Sequence, residues 1–541
     1  MVELSAAQLE ELLVQLAKLL PPELYQLVEK LLRTLQWVLG VLQAKEMSLG
    51  RLRRMIFGAK TETSRNLLAA VGGGTAASDS KPKPKAKGHG RHAAQDYSGA
   101  QRQPVPHPKL HVGDLCPKCL KGKLYLLKIP ARIVRVVAQP IFRATVFELE
   151  RLRCALCGAL FTAPAPPEAG PGKYDPSCGV RLNLQRFGAG QPMYRTAKWQ
   201  RYFGVPLPTA TQWELMAAAS KVPALVYAAL IRFAAQAELL HNDDTPMRVQ
   251  SLRREIAASQ DPNQRQGIFT TGIIAQVGPI SVAWFFTGPK QAGENLNQLL
   301  QNRAADLAQP LQMCDALSRN EPQDFQTLIC NCLLHARRNF IDLQESFPEA
   351  ARHLIESLRE VYRFEAQVKE WKLGPLERLA FHQEKSKPVR DQLQQWMQAQ
   401  LDQKQVEPNS GLGVAMRYRL KRWATLTRFL SVPGAPLDNN INERALKSAI
   451  LHRKNSLSYK TLVGARVGDI QMSLIHTSEL NGANPFHYLM TLEQNAAAVA
   501  KDPAAWFPWN YRQTLEALKK TLKAVDKPAL TRWGATPDPA L

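Results

Sequence analysis

The sequence predicts a multidomain α+β protein: a helical N-terminal region and a small metal-binding module precede an α/β core that a helical insertion interrupts. Three observations carry this expectation. They are a heptad-like apolar seam near the N-terminus, two Cys-x-x-Cys pairs, and a β-rich stretch that gives way to long Gln-, Glu- and Arg-rich helical segments. A length of 541 residues exceeds one compact core and corresponds to about three or four domains. Lys and Arg total 70 against 46 Asp and Glu, a net charge of +24. That balance points to a polyanionic partner, with nucleic acid first and an anionic membrane surface second. No uninterrupted apolar run is long enough to span a bilayer, and the acidic start MVELSAAQLEELL has no secretory pattern. A cytosolic protein is expected, its eight cysteines reduced or metal-bound.

Residues 1–58 form the N-terminal region. After Pro21-Pro22, apolar residues at Leu24, Val28, Leu31, Leu35, Val38, Leu42, Leu49, Leu52 and Ile56 step by fours and threes, with Lys45 at the one missed position. This is the spacing of a coiled coil, and dimerisation is the preferred reading over docking on the chain's own body. Residues 59–106, including GGGTAASDSKPKPKAKGHGRH, lose periodicity and read as a flexible basic linker. Residues 107–165 carry Cys116, Cys119, Cys154 and Cys157, with strand-like KLYLLKI and IFRATVFELERLR between the pairs. Four thiolates at this spacing suit a structural zinc ribbon with no open coordination position; disulfides are the alternative in an oxidising compartment. Cys178, Cys314, Cys330 and Cys332 lack such spacing and read as small core residues.

Residues 170–234 look helical. MYRTAKWQRYFG suggests a helix ending at Gly204, and Thr209 with Gln212 reads as a capping box opening the next one. The pair is a helix-turn-helix candidate, with an ordinary helical hairpin as the equal alternative; the basic and aromatic Arg195, Lys198, Trp199, Arg201 and Tyr202 favour DNA.

From residue 235 to 340 the pattern becomes strands. AELLHNDDTPMRV, IFTTGIIAQVG and ISVAWFFTG precede the helical GENLNQLLQNRAADL, and PLQMCDALS and TLICNCLLHARRNFIDL follow. Three strands, a helix and two further strands is the order of an RNase H-like core, with Asp243 on the first strand and Asp315 at the end of the fourth. Residues 341–432 read as a helical insertion, 433–495 as the second part of the core, and 496–541 as a C-terminal tail. In PLDNNINERALKSAILHRKN one acid, Glu443, is followed by Arg444, Lys447, Arg453 and Lys454. The plainest reading is a capping box made by Asn440 and Glu443, with bases suited to the helix dipole. The alternative brings Glu443 beside Asp243 and Asp315.

The stretches LHNDDTPMRV, CNCLLHARRNF and PLDNNINERALKSAILHRKN, in this order, resemble the transposases of the insertion-sequence-66 family. The likeness extends to the heptad N-terminus with FGAKTETS, the two Cys-x-x-Cys pairs and NGANPFHYL, over roughly residues 10–495. The resemblance implies a DDE triad on an RNase H-like fold that cuts and joins DNA with Mg²⁺ or Mn²⁺, here Asp243, Asp315 and Glu443. The family usually has Asp-Glu-Thr where this chain has Asp243-Asp244-Thr245, which leaves Asp244 as the alternative first ligand. It tends toward Gly-Tyr where Ala316-Leu317-Ser318 follow Asp315.

The chemistry agrees with the resemblance. Phosphodiester cleavage needs the attacking and leaving oxygens stabilised together, and carboxylates are the ligands hard cations take. Arg337, Arg338, Arg444, Lys447, Arg453 and Lys454 then read as phosphate contacts, and His335 as support for the scissile phosphate or a proton, with a buried structural histidine as the alternative. The implied partners are the element's double-stranded terminal repeats and target DNA, a second copy of the chain or more, and accessory proteins of the same element, in a bacterial, nucleoid-associated setting without a membrane. Two other functions stay open: a DNA-binding regulator with an inactive core, and an RNase H-type nuclease.

Overall fold

The computed structural model of the chain describes residues 6–34, 103–127, 133, 141–153, 155, 157, 159–261 and 263–525. Contacts divide the chain into two units, Met1–Gly73 with Ala144–Leu541, and Gly74–Arg143. In the smaller unit, a bridge between Leu115 and Lys123 closes a tight turn. Within it Cys116 N–H donates to Gly122 O (2.7 Å) and Leu120 N–H to Cys116 O (2.8 Å), with Leu120 in the left-handed region. The strand-like KLYLLKI forms no strand over its described residues 123–127, where Tyr125, Leu126 and Leu127 are exposed and so lack the burial that would stabilise one.

In the larger unit, helix α1 (Ala6–Leu19) precedes a second helical stretch, α2, described over residues 22–34. Arg33 pairs with Glu10 across the two (3.4 Å) and with Glu29 (3.0 Å). Leu24 and Leu31 of the heptad seam are exposed; the seam from Leu35 onward, and the basic linker up to residue 102, lie outside the described residues. Strands β1 (Arg151–Arg153) and β2 (Leu160–Thr162) pair antiparallel, and Cys157 sits in their connection.

Helices α3 (Pro176–Asn183), α4 (Met193–Tyr202), α5 (Thr209–Ala218) and α6 (Lys221–Ala234) lead into the core. The expected capping box at Thr209 is absent. Pro208 is the N-cap residue, and Gln212 turns inward to donate to Met193 O and Leu207 O, fastening α4 to α5. Among the described residues no single helix is long and apolar enough to cross a membrane.

The core is a five-stranded mixed sheet in the order β5-β4-β3-β6-β7. Its strands are β3 (Leu239–Pro246), β4 (Phe269–Val277), β5 (Ile280–Gly288), β6 (Leu311–Cys314) and β7 (Leu328–Asn331). The first three pair antiparallel; β6 runs parallel to β3 and to β7. Helix α7 (Gln250–Ala258), which follows β3, was not expected from sequence. Helix α8 (Ala292–Leu300) connects β5 to β6, and α9 (Leu333–Ile341) follows β7. Helices α10 (Pro348–Trp371), α11 (Pro375–Asp402), α12 (Gly411–Lys421) and α13 (Trp423–Leu426) then share one apolar core with β6, β7 and α9, in which Met313, Phe340, Leu358, Met397 and Phe429 are buried. The chain returns to the sheet as α14 (Asn440–Ser456) and α15 (Leu462–Leu480).

An edge strand exposes unpaired backbone groups and invites aggregation. Here β5 is covered by α15 through side chains four residues apart. Thr287, Phe285, Ala283 and Ser281 N–H donate respectively to Asp469 (2.8 Å), Ser473 (2.9 Å), Thr477 (3.0 Å) and Asn481 (3.4 Å). Four helical residues rise about 6 Å and two strand residues nearly as much, about 7 Å, so the two rows stay in step. Residues 496–525 are not an extended tail. Helices α16 (Pro485–Gln494), α17 (Ala496–Lys501) and α18 (Tyr511–Val525) flank buried Trp506, whose carbonyl accepts from Tyr488, and Phe507 and Trp509 pack on Phe233.

Candidate active site

Successive side chains of a strand face opposite ways, so Asp243 and Asp244 belong to different layers. On the Asp243 face, His241 Nδ1 lies 3.0 Å from Asn439 Oδ1 and Thr245 accepts from Arg453 Nη1 (3.1 Å), both partners being at or in α14. Gly272, opposite Asp243 in the β3–β4 register, lies against Leu446 and Asn442 of the same helix. On the other face, Asp244 accepts from Ala292 N–H at the start of α8 (3.4 Å) and pairs with Arg319 (3.5 Å). Its neighbour Thr271 accepts from Asn295 of that helix (2.7 Å). Asp244 is thus a buried anion at a helix N-terminus, and Asp243 faces the helix of Glu443.

The parallel register sets Leu239 opposite Leu311 and His241 opposite Met313. Carried two residues further, it sets Asp243 opposite Asp315. There Asp315 Oδ1 accepts from Leu317 N–H (3.2 Å) and from the Asn320 amide, which fixes the carboxylate at the strand end. Burial, then the charges of Asp315, Asp244 and Glu443, push Asp243 up to about 7, against the one opposing hydrogen bond from Asp244 N–H (2.8 Å). A carboxyl that desolvation and neighbouring anions both hold back from ionising is the donor a divalent cation relieves.

The start of α14 departs from the expected cap. Asn439, not Asn440, is the N-cap residue, and it makes no side-chain cap bond; Glu443 lies a turn inside, its N–H donating to Asn439 O (3.0 Å). Its half-exposed carboxylate is therefore not satisfying the helix end. The Asn439 side chain instead donates to Asn242 O (3.1 Å) and meets His241, while its N–H donates to Cys332 Sγ (3.4 Å). Burial holds His241 down at about 4, so it meets Asn439 as neutral imidazole. Asn439 was missed in sequence; the Asp-Asn-Asn run before the helix was its signal.

His335, on α9, places Nε2 3.9 Å from Glu443 Oε1, and its Nδ1 is buried without a hydrogen-bond partner. Cys332 is the N-cap residue of that helix, and burial pushes its thiol up to about 12. Of the expected phosphate contacts, Arg338, Arg444, Lys447 and Lys454 are exposed. Two are corrected. Arg337 is buried on the inner face of α9, and Arg453 donates to Thr245 and to Pro246 O, which ties α14 to the end of β3. Lys421 and Arg422, overlooked in sequence although RYRLKRW carries a plain basic run, line an open groove of about 530 Å³ with Ala316, Leu317 and Asn331 beside Asp315.

In the smaller unit, Cys119 accepts hydrogen bonds from the backbone of Gly122 and Lys121 and from Cys116, which hold its thiol below the usual range. Cys154 lies outside the described residues.

Among known proteins, the transposase IS66 family matches residues 172–467, more than half of the chain and all of the elements that carry the three acids. The chain belongs to the IS66 transposase family. It is 25% identical over 398 residues to the uncharacterized protein y4hP of Sinorhizobium fredii (strain NBRC 101917 / NGR234), covering 68% of each chain. To y4jD of the same organism it is 25% identical over 413 residues, 73% of this chain and 78% of that one. To y4qI it is 32% identical over 187 residues, 34% of each. No solved structure matches the chain.

Proposed function

We propose that this IS66-family chain is a DDE transposase with an RNase H-like core, which binds the terminal repeats of its element and cuts and joins DNA with Mg²⁺ or Mn²⁺ at Asp243, Asp315 and Glu443. The observation that carries this reading is the convergence of the three acids: Asp243 on β3, Asp315 just past the end of β6 in the parallel register, and Glu443 on α14, the helix packed over the Asp243 face. When bound, two divalent cations supply charge stabilisation to the attacking and leaving oxygens of an in-line displacement. Asp243 on β3 and Asp315 just past the end of the adjacent parallel strand β6 form the sheet side of the site, and Glu443 closes it from the helix. The exposed Arg338, Arg444, Lys447 and Lys454, with Lys421 and Arg422 in the neighbouring groove, hold the phosphodiester backbone along the same face. His335 is placed to orient the scissile phosphate or the group that attacks it.

Cys116, Cys119, Cys154 and Cys157 hold a structural zinc in this reading; the thiol-directed N–H groups around Cys119 support it. The exposed Leu24 and Leu31 support self-association through α2.

The test is Glu443→Gln. Because Glu443 caps nothing, the substitution should leave the melting curve within a few tenths of a kcal/mol, as for about any exposed polar change. Nicking of a terminal-repeat duplex in Mg²⁺ should fall by orders of magnitude while gel-shift affinity for that duplex stays nearly intact. A folded Glu443→Gln protein that nicks at the parental rate would falsify the triad.

A further inference from the structure

We propose that Cys332, His335 and Glu443 form a second metal site, selective for a thiophilic ion such as zinc, which borrows Glu443 from the DDE site. One ligand atom from each of the three residues lies within 4.8 Å of the others, and His335 Nε2 is already 3.9 Å from Glu443 Oε1. The arrangement follows from local structure. Cys332 is the N-cap residue and His335 the third residue of α9, so thiol and imidazole project from one end of one helix, and α14 brings Glu443 against that end. The site is supported as well as assembled, because Asn439 N–H donates to Cys332 Sγ (3.4 Å) and fixes the sulfur.

The donor set decides which ion enters. Mg²⁺ takes oxygen ligands and keeps its waters, so sulfur and imidazole offer it little. Zinc, cobalt and cadmium prefer this mixture of thiolate, nitrogen and carboxylate. Three protein ligands leave a tetrahedral ion one further position, for water or a phosphate oxygen. Binding transfers the thiol proton to solvent and makes no other bond change. Glu443 Oε1 is the oxygen 3.9 Å from His335, so an ion held there competes for this carboxylate with one at Asp243 and Asp315. A thiophilic ion at Cys332 therefore draws the glutamate away from Asp243 and Asp315, and zinc becomes an antagonist of magnesium-supported cutting. The binding itself does not depend on the DDE reading; the antagonism does.

Cobalt(II) is the probe, added to the reduced full-length chain after one equivalent of zinc per chain, which a four-thiolate site takes ahead of a site with three mixed ligands. The parental protein should take up one equivalent more than Cys332→Ser does, with a thiolate-to-cobalt charge-transfer band that the variant lacks. His335→Ala, a change at a half-exposed residue, should lose the same equivalent and guards against a Cys332→Ser chain that fails to fold. Equal cobalt uptake and equal spectra in all three proteins would overturn the site. In a second arm, the zinc concentration that halves Mg²⁺-supported nicking should rise by about tenfold or more in Cys332→Ser, compared with that variant's own zinc-free rate. An unchanged midpoint would overturn the antagonism. Failure of the DDE reading would show separately, as full nicking by Glu443→Gln with the cobalt result intact.

Discussion

The 3.0 Å contact between His241 Nδ1 and Asn439 Oδ1 joins the strand of Asp243 to the turn from which the helix of Glu443 departs. The same Asn439 amide donates to Asn242 O, and its backbone reaches Cys332. One buried side chain thus sets the distance between two of the three acids. A site of this kind is held by its supporting groups as much as by its own residues, since an ångström of looseness is costly to catalysis.

Asn439→Ala should leave His241 and the Asn242 carbonyl buried without partners. The expected loss of stability is about 1–3 kcal/mol, read from urea unfolding. Nicking should fall further than the unfolded fraction explains, and terminal-repeat affinity should not. If nicking tracks the folded fraction alone, Asn439 supports the fold and not the site.

Asp243 and Asp244 separate by charge environment. The folded-state value of Asp243, raised to about 7, means that metal-free stability is fully present below the unfolded carboxylate range near 4 and is lost as pH rises through 7. Asp243→Asn removes that cost, so the metal-free variant should be more stable than the parent above pH 7 by on the order of a few kcal/mol, with no difference below about pH 4. Mg²⁺ should raise the parental melting temperature and leave the variant's unchanged. Nicking should be abolished by Asp243→Asn and should persist in Asp244→Asn, whose ion-pair partner Arg319 is solvent-exposed and can lose it cheaply. The opposite pattern would make Asp244 the first ligand.

Zinc content tests the module around Cys119. Cys119→Ser protein purified under reducing conditions should carry one zinc per chain fewer than the parent, whatever the Cys332 site holds, because the N–H groups that lower its thiol also prepare a thiolate for metal. Metal-free protein with these cysteines oxidised to disulfides would defeat the assignment.

The strands of the core were legible because FTTGIIAQV and ISVAWFFTG are β-branched and aromatic, buried on both faces between helices. The order of three strands, a helix and two strands followed from the same runs, and with it the places of Asp243 on β3 and Asp315 at the end of β6. Helix α7 was not legible, since QSLRREIAA is short, lies next to a strand end and buries only Ile256. Caps were misplaced at Thr209 and Asn440 because the N-cap residue is fixed by backbone dihedrals that tertiary contacts impose, not by residue type alone. Charge was readable but direction was not. Arg337 and Arg453 have the composition of phosphate contacts, yet one points into the core and the other into β3. The row Asp469, Ser473, Thr477 and Asn481 stands in the sequence as polar residues four apart along an apolar helix and its C-cap, but which strand edge they cover is set by the tertiary fold.

Gly272 offers the sharpest structural test of how α14 is held. It lies opposite Asp243, in the interior of β4, where a glycine weakens a strand unless another element must come close. A Cβ there would lie 2.9 Å from Leu446 Cδ2 and 3.1 Å from Asn442 Oδ1, and Asn442 adjoins Glu443. Asn442 is fully buried, so it has little room to yield. Gly272→Ala should therefore lift α14 from the sheet and draw Glu443 away from Asp243, at a cost of about 1–3 kcal/mol for overpacking. Nicking should fall by more than that cost explains, while the exposed Arg444, Lys447 and Lys454 keep DNA affinity near the parental value. Leu446→Ala in the same chain removes the closest clash, and the double variant should cut faster than Gly272→Ala alone, a coupling expected of residues in contact. Parental nicking and an unchanged melt in Gly272→Ala would mean that the separation of helix and sheet does not govern the placement of Glu443.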